Sequence, residues 1–429
     1  MRAEWARDAR FVVVGDRPPG CSYPRGMAHR ADPPTSVRNA AEAVALHGAL
    51  GSAYLTGMWV GDPLADACAD EAGRIGRGHF MRLLRTALAE GIEAVPDAPE
   101  SLVALFAQLD DMPDWVDLPA IDDGVRDFAR YSRETGIVLG AASLLVGYAN
   151  PTASRPLQMT GRYVESAGMR TIEVATWLRA VTKPGGLERF SPGFERTVRV
   201  RMIHAFVRRH LRDDPAWDHE AWGEPISQAH LAYTVDEFCL IVIRALARVG
   251  VHFRPHEIAD GHYARWRYLG HLLGVGPELL PATPADQEAL EELHLMTRPP
   301  VEDFCRALVR GINTEFLVPE LDLLLGPFRR WSPTTVHGLE RLFLGDDIAD
   351  DLGVPPSRVG PVVAGLGRPL GVLNRGMDRS PALVEWRRRR GEAYADRQEV
   401  RLRTTYGVTH EMVDDSPASG APHPARVDG

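Results

Sequence analysis

The stretch RTVRVRMIHAFVRRHL, residues 196–211, places an imidazole, His204, inside a strongly basic helical pattern. At helical spacing His204 shares a face with Val200, Arg201, Val207, Arg208 and Leu211. An imidazole on such a face has two uses. It packs in the core as a neutral ring that donates one hydrogen bond, or it ligates the iron of a haem, where an apolar wall keeps water from the metal. In the second case Arg201 and Arg208 are candidates to pair with haem propionates; an equal alternative is that both are surface residues. Periodicity alone leaves both uses open.

Other chemistry-bearing patterns are weaker. HEIADGH (256–262) resembles a zinc-protease signature, but its histidines are six apart, about 600° of helical rotation, and so point to nearly opposite sides. Glu291 and His294 form one ExxH pair, whereas a di-iron bundle needs two such pairs plus two further glutamates. The glycines of GLGRPLG (365–371) lack the spacing and preceding strand of a dinucleotide fold, and no GxSxG or phosphate-binding loop occurs. Lys183 is the sole lysine, which makes Schiff-base catalysis improbable. Cys21, Cys68, Cys239 and Cys305 lie far apart without a CxxC, arguing against structural zinc and for reduced thiols.

The helices that must carry these residues are legible in the periodicity. Of the 429 residues, 45% are hydrophobic and 25% charged, enough for a sizeable core. A net charge of −9 argues against nucleic acid as a partner. Apolar residues recur at three-to-four spacing, and no sustained two-residue alternation occurs. Helices are expected at 36–50 (N-capped by Ser36), 78–91, 99–112, 124–150, 163–182, 194–212, 227–250, 255–273, 284–293, 299–313 and 380–404. Residues 1–36 read as an extended arm, 37–405 as one all-helical domain and 406–429 as a disordered tail. FVVV near the N-terminus is too short for a secretory segment, and no run reaches about 18 apolar residues. A soluble, cytoplasmic protein without stable membrane insertion is expected, its oligomeric state unreadable.

Five segments, in order, carry a family resemblance: PDWVD (113–117), FARYSRETGIVLGAASLLVGYANPTASRPLQMTGR (128–162), RTIEVATWLRAVTKPGGLERFSPGFERTVRVRMIHAFVRRHL (170–211), WGEPISQAHLAYTVDEF (222–238) and RYLGHLLGV (267–275). Together they resemble the rubber-oxygenase family, meaning latex-clearing protein and its MpaB-type relatives. The resemblance implies an all-α, globin-like helical core holding haem b, with His204 as the iron ligand. It implies that Arg170 is the distal, catalytic cation beside bound dioxygen, with Val174 and Trp177 lining the pocket and Leu145 and Tyr148 as further lining candidates. Two departures stand out. Rubber-cleaving members have a threonine where this chain has Val174, and some have a lysine where it has Glu173. No catalytic glutamate is assigned, since the spacing of Glu165 to Arg170 is wrong for that role.

The resulting expectation is a haem b-dependent oxygenase that uses dioxygen on a small apolar substrate, prenyl or alkene in character. Two alternatives differ in class: a haem-binding or haem-sensing protein without turnover, and a metal-free helical binding protein in which His204 is structural.

Overall fold

The computed structural model describes residues 32–160 and 167–406, the side chains of 167–170 and 260 excepted. Most of the expected arm and the expected tail therefore lie outside the described residues. Helix accounts for 76% of the structure and the described residues contain no strand, so the fold is all-α.

The N-terminal layer comprises α1 (Ala40–Gly57), α2 (Pro63–Ile75), α3 (Arg77–Glu90) and α4 (Glu100–Asp110). Helix α1 begins at Asn39 rather than Ser36; Asn39 has φ 51° and makes no side-chain cap. Asp62 caps α2, accepting from Ala65 N, with Pro63 in the first turn.

The expected helix 124–150 is interrupted. Helix α5 (Leu118–Ala129) stops at Arg130 and Tyr131, where Tyr131 leaves the helical region at φ −126°. Arg130 is buried at the break and donates to Glu257 (3.0 Å) and Asp378 (3.2 Å), contacts a straight helix would misdirect. The chain resumes as α6 (Ser132–Val138), a π-helical segment (Leu139–Ser143) and α7 (Leu144–Tyr148), then turns into α8 (Pro151–Met159), capped by Asn150.

Helix α9 (Ala167–Val181) pairs with α10 (Pro192–Arg212), whose start is set by the Ser191 cap and Pro192. After the short α11 (His219–Trp222), α12 (Gln228–Arg248) runs through the centre, buried along most of its length. A second π-helical segment (Glu257–Tyr263) leads directly into α13 (Ala264–Leu272), followed by α14 (Pro284–Thr297) with a Thr283–Asp286 capping box. Helix α15 (Asp303–Ile312), a third π-helical segment (Asn313–Leu317), α16 (Val318–Leu325), α17 (Ser332–Leu344) and α18 (Asp346–Asp351) build a second buried cluster. Two long helices finish the chain, α19 (Val359–Met377) and α20 (Pro381–Thr405).

Two glycines of GLGRPLG, Gly367 and Gly371, prove to be helix-packing positions in α19, whereas Gly365 faces open space. A Cβ at Gly250, which has φ +84°, would stand 2.2 Å from the Gly367 carbonyl oxygen, so the backbones touch there. No single described helix is long and apolar enough to cross a membrane. The pair Ser132–Tyr148 and Pro151–Met159 meets the length and composition requirement together, but is bent by 100°.

Candidate functional site

Helices α9 and α10 form an antiparallel hairpin whose register is fixed by two contacts. Trp177 Nε1 donates to Thr197 Oγ1 at 3.0 Å, and Arg196 donates to the Thr176 carbonyl at 3.4 Å. His204 lies seven residues beyond Thr197, and position 170 lies seven residues before Trp177. Seven residues are about 10 Å of rise and nearly two full turns, so positions 170 and 204 are level along the hairpin. The backbone of Arg170 belongs to α9, while its side chain lies outside the described residues.

His204 is half-buried, with Nδ1 fully shielded from solvent. Val200, one turn earlier, packs against the main core. The two arginines expected to hold propionates do something else. Arg201 is 2% exposed and binds Asp62 twice, Nε to Oδ2 at 2.6 Å and Nη2 to Oδ1 at 3.0 Å, with Nη1 on Gln108 at 2.6 Å. Arg208 is fully buried and donates to Asp66 at 2.7 Å and to the Ile226 carbonyl at 2.7 Å. Both guanidinium groups are committed to neutralising α2, which corrects the expectation that they hold a cofactor. Burial opposes the ionisation of Asp62, but Arg201 and the Ala65 N–H outweigh it and hold its carboxyl below the usual range.

Beside α9 lies a cavity of about 570 Å³, within the size range of small-molecule sites. Thr171, Val174, Ala175, Leu178 and Thr182 of α9 face it. His204 is not among the residues that line this cavity, which shares α9 with the hairpin. Val174 lines this cavity. Trp177 stands behind the wall, edge-on to Phe238 and Trp266, which do line it. Leu145 and Tyr148 are buried in the second core cluster instead.

All three π-helical segments contribute to the same cavity: Leu139, Gly140 and Ala141 from the first, His262 from the second, Phe316 and Leu317 from the third. A π bulge accommodates one extra residue in a helix at a cost in hydrogen-bond geometry, and such bulges gather at functional sites. Helix α20 closes the remaining side, tied down by Arg179–Asp396, Lys183–Glu399 and Arg401–Glu320 ion pairs.

Two polar residues of the cavity were missed in the sequence. His262 is buried and neutral: desolvation, helped by the Arg265 charge, drives its pKa far down. Its Nε2 donates to the Cys239 carbonyl at 3.1 Å, and its Nδ1 accepts from Arg265 Nη2 at 2.8 Å. The signal was an arginine at the entry to the aromatic, apolar run WRYLGHLL, where a cation has no reason to be buried. HEIADGH is no zinc site, as expected: His256 is exposed while His262 is buried.

Residues 129–371 match the family described as "ER-bound oxygenase mpaB/B'/Rubber oxygenase, catalytic domain". The chain belongs to this family. It is 28% identical over 255 residues to a rubber oxygenase of Streptomyces sp. (strain K30), a match covering 57% of this chain and 58% of that protein. The chain thus aligns with little more than half the length of this relative. The structure is similar to that of latex clearing protein in the closed state, with a TM-score of 0.54 and 21% identity over 79% of this chain and 91% of the other. This second likeness establishes a shared fold.

Proposed function

We propose that the protein is a haem b-dependent oxygenase that oxidises or cleaves a small apolar substrate, prenyl or alkene in character. The reading is carried by the level placement of His204 and position 170 across the α9–α10 hairpin. The donor set suits haem better than a metal held by side chains alone. Among the described residues no three His, Cys, Asp or Glu side chains are grouped to hold a metal ion, whereas a porphyrin-borne iron asks the protein for a single imidazole.

Haem, when bound, supplies the binding and activation of dioxygen. His204 would hold it through one ring nitrogen on a helix whose register is locked by the Asp62–Arg201 and Asp66–Arg208 pairs. Arg170 would set a fixed positive charge opposite, stabilising negative charge as it develops on a reacting oxygen, an effect that a dry site strengthens. Trp177 would keep water out of the hairpin, and Val174 would face the substrate from the cavity wall. The cavity beside α9 would hold and orient the apolar substrate.

The reading is tested by the absorption spectrum of the haem-supplied protein and by substrate-dependent oxygen uptake after reduction. His204→Ala is expected to lose the Soret band while keeping its helical circular dichroism; full haem retention defeats the ligand assignment. Val174 and Glu173, in place of threonine and lysine, favour a second reading, a haem-binding or haem-sensing protein without turnover. Complete absence of oxygen uptake across apolar alkenes, with the Soret band present, would select it.

A further inference from the structure

Among the described residues, Arg265 is a buried cation without a counter-ion. It is 2% exposed and lines the cavity beside α9. One N–H of Nη2 is given to the neutral His262, but Nε and Nη1 are buried and have no hydrogen-bond partner. Its other neighbours are aromatic faces: the guanidinium carbon lies 5.5 Å from the Phe128 ring centre and 5.8 Å from that of Trp266. Among the described residues no carboxylate pairs with it. This contrasts with Arg130, Arg201 and Arg208, buried arginines that each meet acids.

An unpaired buried charge is costly, by several kcal/mol, and proteins ordinarily avoid one. His262 argues that the charge is placed rather than tolerated. With Nε2–H fixed on the Cys239 carbonyl, Nδ1 can only accept, and it holds one N–H of the guanidinium while Nε and Nη1 are left without acceptors. We propose that this cavity binds an apolar carboxylic acid, its carboxylate paired with the Arg265 guanidinium and its hydrocarbon body along Val174, Leu178, Phe238 and Leu317. A guanidinium gives a carboxylate charge-assisted hydrogen bonds, and the lining is otherwise mainly apolar.

The same chemistry, an acid on an apolar frame, is carried by the propionates of a porphyrin. The cavity favours the free organic acid. His262 is its lining imidazole, and both ring nitrogens are engaged, so it offers iron no ligand. His204 does not line it. The proposal deepens the oxygenase reading by giving its substrate a carboxylate head.

The test is a fluorescence titration of the full-length protein with cis-parinaric acid and, separately, with its methyl ester. The acid is expected to bind tighter than the ester by about tenfold or more, the worth of a charge-assisted contact. Arg265→Met should abolish this preference while its melting temperature holds or rises, because a lone buried charge has been removed. Arg265→Lys, which keeps the charge without the fork, should retain part of it. Equal binding of acid and ester by the wild type overturns the proposal, as does a preference that survives Arg265→Met or a fall in that variant's melting temperature. Haem is titrated in parallel. Loss of the Soret band in Arg265→Met would show that the seat is for propionates and overturn the organic-acid assignment; an unchanged band supports it. A wild type with no Soret band at all would defeat the oxygenase reading and leave the acid-over-ester result standing.

Discussion

Glu340 offers a calculation that needs no ligand. It lies on α17, one residue from the cavity-lining Leu339, and is fully buried. Burial pushes its carboxyl up to about 8, and the nearby Asn313 side chain offsets only part of this. Between pH 4.5 and 8 the folded protein therefore holds a proton that the unfolded chain has released. The folded state binds more protons, so its stability falls as pH rises through that window. At about 1.4 kcal/mol per pH unit, the cost is about 1 kcal/mol at pH 5, about 3 kcal/mol at pH 7 and about 4 kcal/mol at pH 8. Glu340→Gln keeps the shape and removes the titration. Unfolding entropy for a chain of this length is about 0.9 kcal/mol per degree, so the variant should melt about 1 °C above wild type at pH 5 and about 3 °C above it at pH 7. Calorimetric melts at pH 5, 7 and 8 measure this directly. An offset that stays constant with pH would refute the reasoning, because it would mean that Glu340 is already ionised in the folded state.

Asp62→Ala leaves Arg201 buried and unpaired and removes the α2 cap, and is expected to destabilise the fold by about 3–5 kcal/mol in a chemical denaturation series. Arg170→Ala should retain the Soret band yet slow substrate-dependent oxygen uptake by about tenfold or more, and an unchanged rate removes it from the mechanism.

Helices with regular apolar spacing were legible in the sequence, and α3, α4, α10, α12 and α20 start and stop within about two residues of expectation. The pattern failed where backbone events lack a residue signature. The break at Arg130–Tyr131 depends on acids more than a hundred residues away. The π bulges shift the register by one residue, which helical averaging smooths over. Helix α2 escaped notice because its carboxylates serve buried arginines rather than solvent, and α19 because glycines and Pro369 interrupt its apolar pattern. His204 could be singled out as chemistry on a helix, but the sequence placed Arg201 and Arg208 in the same group on spacing alone. Their partners, Asp62 and Asp66, lie about 140 positions earlier and could not be matched to them without the fold.

Where α5 meets the second π-helical segment, Gly124 and Gly261 lie backbone against backbone, so close that a methyl group on Gly124 would fall 2.2 Å from the Gly261 Cα. The residue that follows Gly261 is His262, the imidazole that holds the Arg265 guanidinium. The height of that cation above the cavity floor is thus gauged by two main chains in direct contact, with no compressible side chain between them. Any residue bulkier than glycine at either position would act as a wedge and reset the distance, making this bare junction a place where ligand size can be retuned without altering a single residue that touches the ligand.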